Sequence, residues 1–97
     1  AGISGAKKKE KYLKDPKVGD VYEVSYPKDG KTMRTLYRIA NLTADSVTFD
    51  VNDYEADSRK GLRKLKEQYA DSYAEQRKLS RSELEEMKRR ISNIERF

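Results

Sequence analysis

Apolar and polar residues alternate with a period of two through the middle of the chain. The period then lengthens to about 3.6 after Asn52. Tyr22, Val24 and Tyr26 fall on one face of a strand running from Val21 to Tyr26, with Val21, Glu23 and Ser25 on the other. Pro27-Lys28-Asp29-Gly30-Lys31 follows, and an Asp-Gly pair between two β-rich runs predicts a hairpin, because glycine supplies the positive φ such turns need. A second strand is expected from Thr32 to Leu42. Met33, Thr35, Tyr37 and Ile39 share one face; Leu36, Ala40 and Leu42 share the other with Arg34 and Arg38. Apolar groups on both faces suit a central strand, or one that bends round a corner. Thr43-Ala44-Asp45 makes a tight connection to a third strand, in which Val47, Phe49 and Val51 alternate with Ser46, Thr48 and Asp50.

Leu62, Leu65, Tyr69 and Tyr73 then form one stripe of an amphipathic helix, with Gly61 weakening its first turn. Ser80 and Glu83 have the spacing of a capping box, and Leu79 with Leu84 that of a hydrophobic staple. A second helix should therefore start at Arg81, bury Leu84 and Met87 with Ile91 next on the same stripe, and stop near Arg90. Lys88, Arg89 and Arg90 suit its negative end. Ile91 to Phe97 reads as a closing edge strand with Ile94 and Phe97 apolar. The sum is β-β-β-α-α-β. This predicts an α+β fold: a small, bent antiparallel sheet, SH3-like and partly open as a barrel, with two helices inserted before the C-terminal strand.

Composition limits how such a core is built. The chain has 97 residues, of which 40% are charged and 35% apolar, with no Trp, two Phe and seven Tyr. Tyr rings must therefore fill the core with their hydroxyls at its edge, and no deep cavity is expected. Residues 1–17 are a Lys-rich segment expected to be a flexible lead-in; a single domain over residues 18–97 starts at the Val18-Gly19-Asp20 turn. Cys and His are both absent, which excludes disulfides, thiolate–imidazole zinc sites, Cys/His nucleophile pairs and Ser–His–Asp triads. No apolar run reaches the roughly 20 residues of a membrane span, and no signal-peptide pattern is present. The formal net charge of +5 is unevenly spread: the lead-in and the helical half are basic, while the β half between them is acidic. A polyanion-binding protein of uniform face would not divide its charge this way.

Several short motifs invite chemistry. Gly30-Lys31-Thr32 has the end of a phosphate loop, but Ser25 stands where the earlier glycine belongs and the segment is a hairpin. Ser25-Tyr26-Pro27-Lys28 spells Ser-x-x-Lys without the helix start or companion motifs of penicillin-recognising enzymes. Asp50, Asn52, Asp53, Glu55 and Asp57 form an acidic run, yet Tyr54, Glu55 and Gly61 occupy the fifth, sixth and twelfth places of a calcium loop, so that pattern fails. The run reads as a strand-to-helix connection with Asp57 or Ser58 as helix cap. Lys7, Lys8, Lys9, Lys11, Lys14 and Lys17 could meet phosphates or anionic head groups, but a solvated arm is the simpler reading. Arg59, Lys60, Arg63, Lys64 and Lys66 crowd the first helix and are the candidate polyanion contacts, with Tyr22, Tyr26, Tyr37 and Tyr54 as a possible stacking surface whose alternation favours burial instead. No catalytic, cofactor-binding or metal-ligating residue is assigned.

Val18-Gly19-Asp20-Val21-Tyr22, Tyr37-Arg38-Ile39, Asp45-Ser46-Val47-Thr48-Phe49, Asn52-Asp53-Tyr54-Glu55, Leu79-Ser80-Arg81-Ser82-Glu83-Leu84 and Ile94-Glu95-Arg96 together resemble a group of small soluble domains in membrane-anchored Bacteroidetes proteins. The resemblance covers about residues 17–97 and rests on turns and caps. It implies a domain tethered by a membrane segment ahead of residue 1, at the cell envelope, and it implies no activity. The expected function is a non-enzymatic accessory or interaction module without cofactors, monomeric, with a protein partner. The alternative is a cytoplasmic, nucleic-acid-binding SH3-like domain.

Overall fold

A computed structural model of the chain describes residues 5–96. Its elements run α1 (Gly5–Lys14), β1 (Val21–Lys28), β2 (Lys31–Leu42), β3 (Ser46–Asn52), α2 (Arg59–Gln68), β4 (Tyr73–Ser80), α3 (Arg81–Met87), a 3-10 turn (Lys88–Arg90) and β5 (Ile91–Glu95). The strands form one antiparallel sheet in the order β4-β3-β2-β1-β5. The fold is α+β, and the sheet is open, with β4 and β5 as its two edges.

The predicted hairpin is present: Lys28 pairs with Lys31 across a two-residue turn in which Asp29 and Gly30 both take positive φ. Gly19, at φ +97°, turns the chain into β1. β2 is the central strand, which explains its apolar residues on both faces. One face carries the main core of Tyr22, Val24, Tyr37, Ile39, Val47, Phe49, Leu79, Leu84, Ile91 and Ile94, with Tyr12 and Leu13 of α1 and Met87 of α3 packed on it. Phe49 sits between two tyrosine rings, with centroids 5.3 Å from Tyr22 and 5.5 Å from Tyr37. The opposite face carries a second, smaller core, Val21 and Leu36 beneath Leu62 and Leu65 of α2. Helices thus cover both faces of the sheet.

The structure corrects the sequence reading in four places. The two helices are not consecutive: β4 runs between them, and the order after β3 is α-β-α-β. Tyr69 caps the C-terminal end of α2 and Tyr73 opens β4, so the helical stripe ends at Leu65. Where the sequence reads as a flexible arm, the chain forms α1, whose Lys9 ammonium donates to the Ile91 carbonyl at 3.1 Å. Leu42 joins the main core rather than the face of Leu36, because the β2–β3 register shifts between Ile39 and Asn41 and reverses the alternation beyond it. α3 has its capping box, and Leu84 is buried as expected, while Ile91 is buried as the first residue of β5. Phe97, expected in that strand, lies outside the described residues.

The ends of the domain are clasped at Asp20. Its fully buried carboxylate accepts from Arg96 Nε at 2.8 Å and Nη2 at 2.9 Å, and from the Lys17 amide at 3.0 Å. Arg96 also lies 4.1 Å over the Tyr12 ring and donates to the Asp15 carbonyl at 2.7 Å. One side chain thereby joins α1, β1 and the end of β5. No helix among the described residues is long and apolar enough to cross a membrane.

Candidate functional site

The basic cluster read from the sequence lies on α2, and the placement of that helix decides what each cation does. Ser58 is the N-cap, its Oγ accepting from the Gly61 amide at 3.0 Å. Gly61 lets the first turn press against Ala56; a Cβ at that position would stand 3.0 Å from the Ala56 Cβ and 3.2 Å from Ser58 Oγ. Ala56 is in turn bridged to β2, with Arg34 N to Ala56 O at 2.7 Å and Ala56 N to Arg34 O at 2.8 Å. These backbone contacts set α2 beside the start of β2 and fix Arg34 next to the helix.

Arg34, Arg59 and Arg63 then converge on one open cleft of about 390 Å³ between α2 and the β1–β5 pair, which Ser92 and Asn93 also line. Arg59 and Arg63 are one helical turn apart and share a face. Among the described residues, none of these three arginines has a carboxylate oxygen within 4.0 Å. Four other arginines, Arg38, Arg77, Arg81 and Arg96, are occupied. Arg38 pairs with Asp50 at 3.3 Å and Asp71 at 3.6 Å, and lies 4.2 Å over the Tyr73 ring. Arg96 is held by Asp20, Arg77 by the Tyr37 hydroxyl at 2.8 Å, and Arg81 by the Thr43 carbonyl at 2.6 Å.

Lys66, counted with the cluster in the sequence, is not available as a contact. Its ammonium bridges Glu95 at 2.5 Å and Glu23 at 3.2 Å, on the inner wall of the same cleft. Burial works to lower its pKa, but the hydrogen bonds it donates to Glu95 and Glu23 prevail and hold it above the ordinary lysine value. Glu23 also accepts from the Asn93 amide at 2.7 Å, so its charge is satisfied within the fold. Lys60 is exposed on the helix, and Lys64 lies on the side of α2 away from the arginines.

On that other side, Lys64 and Lys31 border a groove that contains Tyr54 and Tyr69. The two rings stack at 4.0 Å and 28°, and are 46% and 40% exposed. Of the four tyrosines considered as a stacking surface, Tyr22 and Tyr37 are core residues, and Tyr26 is half-buried and donates to Glu55. Of the four, Tyr54 is open, and its stacking partner Tyr69 is exposed rather than buried on the helical stripe its spacing predicts. Desolvation, then the hydrogen bond to Glu55, pushes the Tyr26 pKa well up.

The acidic run is spent on scaffolding. Asn52 donates to the Tyr69 carbonyl at 2.7 Å and accepts from the Tyr54 amide at 2.9 Å; Asp53 accepts from Ser72 Oγ and the Ala74 amide, both at 2.9 Å. Glu55 is held by Lys28 at 2.6 Å and by Tyr26, and the Lys28 bond, then the Tyr26 bond, lowers its pKa. No group of three or more acidic side chains among the described residues is placed to hold a metal ion. Ser25 of the Ser-x-x-Lys string donates to the Arg90 carbonyl at 3.3 Å. A further cleft of about 340 Å³ adjoins Val21, Leu36 and Tyr73, but its charged groups Arg38, Lys66 and Glu95 are already paired.

Arg34 is the site residue the sequence reading left out of the cluster. Its only signal was its place on the strand face of Leu36, the face that receives α2. Compared with protein-family models, curated proteins and solved structures, the chain matches none of them.

Proposed function

We propose that this domain is a non-enzymatic interaction module that docks an acidic segment of a protein partner in the arginine cleft beside α2. The observation that carries the reading is the trio Arg34, Arg59 and Arg63 around one cleft, none of them within 4.0 Å of a carboxylate oxygen among the described residues. Three guanidiniums held close together repel one another, and an anionic ligand relieves that repulsion while forming charge-assisted hydrogen bonds. The strand order β4-β3-β2-β1-β5, with a 3-10 turn before the last strand, supports an SH3-like, partly open barrel as the finer architecture. The native setting on this reading is the cell envelope, with the domain tethered through a segment ahead of α1, whose lysines suit an anionic membrane surface.

The test is titration of a labelled Glu/Asp-rich peptide at two salt concentrations, against the wild type and the triple variant Arg34→Ser, Arg59→Ser, Arg63→Ser. Binding that weakens with salt and is lost in the triple variant supports the reading. No binding to the wild type at low salt rules it out. A second reading, single-stranded nucleic acid, is favoured by the open Tyr54–Tyr69 stack beside Lys31 and Lys64. It requires oligonucleotide binding that falls in Tyr54→Ala while the acidic peptide binds no better than a neutral one.

A further inference from the structure

The two edges of the sheet are treated differently. β5 is flanked by α1, and Lys9 occupies the Ile91 carbonyl. β4 pairs with β3 on one side only, and residues Ala74 to Lys78 are exposed. An edge strand presents unpaired N–H and C=O groups, and a strand added there completes them. The side chains of β4 select what is added.

We infer that β4 pairs with β4 of a second copy of this chain, antiparallel and centred on Gln76, joining two sheets into one. In a two-fold pairing of identical antiparallel strands, one residue faces itself and its neighbours pair crosswise. With Gln76 at the centre, Glu75 faces Arg77 of the other copy on both sides of the axis, and Ala74 faces Lys78. No like charges meet. Shifting the centre to Glu75, Arg77 or Lys78 places an identical charge against itself, which is unfavourable at the short distance between directly opposed residues. The register shift between Val51 and Asn52 ends the regular strand near Ala74, which limits the pairing to the segment that carries this pattern. Arg77 gives up its bond to the neutral Tyr37 hydroxyl for a carboxylate, a stronger partner for a guanidinium. Pairing of so short an edge buries little area, so the association is weak and concentration-dependent.

The test is sedimentation equilibrium of the folded domain from micromolar to millimolar concentration, with circular dichroism to check folding. The wild type should show a rising average mass toward that of a dimer. Glu75→Arg and Arg77→Glu should each weaken self-association on the order of tenfold, as two favourable pairs become repulsive. Mixing these two variants restores complementary pairs and should give a heterodimer that neither forms alone. A wild-type mass that stays monomeric to millimolar concentration overturns the proposal, as do single variants that associate as well as the wild type. A monomer that instead adds an unrelated extended peptide at β4 overturns it in favour of that occupant.

Discussion

Replacing Tyr22 with phenylalanine should make this protein more stable. The Tyr22 ring is fully buried against Phe49, and its hydroxyl has no hydrogen-bond partner among the described residues. An unsatisfied buried hydroxyl costs about 1–3 kcal/mol, and phenylalanine keeps the ring while removing the group. The expected gain at pH 7 is about 1 kcal/mol. The same site carries a pH signature. Desolvation, and then the nearby Asp20 carboxylate, pushes the Tyr22 pKa from its ordinary 10 up to about 12. The fold therefore holds the phenol proton more tightly than the unfolded chain does. That contribution is intact below about pH 10 and is lost as pH rises toward 12. At pH 11 the loss amounts to about 1 kcal/mol, which Tyr22→Phe does not suffer. Urea unfolding of both proteins at pH 7, 8, 10 and 11 measures this directly. The gap between variant and wild type should widen by about that amount between the second and last conditions. A variant less stable than wild type at pH 7 means that the hydroxyl is bonded; a gap that stays constant to pH 11 means that the phenol is not held protonated by burial.

Two further substitutions probe the scaffold of the cleft. Lys66→Met leaves Glu23 and Glu95 facing one another without their shared cation. Since all three groups are partly exposed, the expected cost is about 2 kcal/mol at pH 7, below that of a fully buried pair. Because the folded fold raises the Lys66 pKa, the wild-type advantage should persist up to about pH 10 and shrink above it, as followed by thermal unfolding. Gly61→Ala would ordinarily stabilise a helix by up to about 1 kcal/mol, but here the added methyl meets Ala56 at 3.0 Å. It should instead destabilise by about 1 kcal/mol in urea titration and weaken acidic-peptide binding, by pushing Arg59 and Arg63 away from Arg34.

The strands that bury a face were the legible ones. β1, β2 and β3 lie together in the sheet interior, and burial forces alternation on them; the Asp29-Gly30 turn and the Ser80–Glu83 box are local chemistry that needs no tertiary context. β4 was not legible, because an edge strand with only Leu79 buried shows no alternation, and Tyr73 fell on the spacing of the preceding helix. That helix is stopped by a distant contact, the Asn52 amide on the Tyr69 carbonyl. α1 offered two large apolar residues, Tyr12 and Leu13, among lysines, and its partner strand, β5, begins 82 residues beyond Lys9. In the cleft, charge clustering located Arg59 and Arg63. It could not tell that Lys66 is neutralised by carboxylates 43 and 29 residues away, or that Arg34 belongs with the other two.

The clasp at Asp20 also governs the order in which this chain can fold. β1 has β2 on one side from an early stage of synthesis, but its other side is filled by β5, and Arg96 reaches back 76 residues to Asp20. Until residues 91–96 emerge, Ile91 and Ile94 are missing from the main core, the Asp20 carboxylate lacks its counter-ion, and α1 lacks the strand it packs on. A nascent chain that stops after β4 should thus remain loose and exposed, a substrate for chaperones and proteases. Closure of a loop this long makes folding slow for a domain of such size.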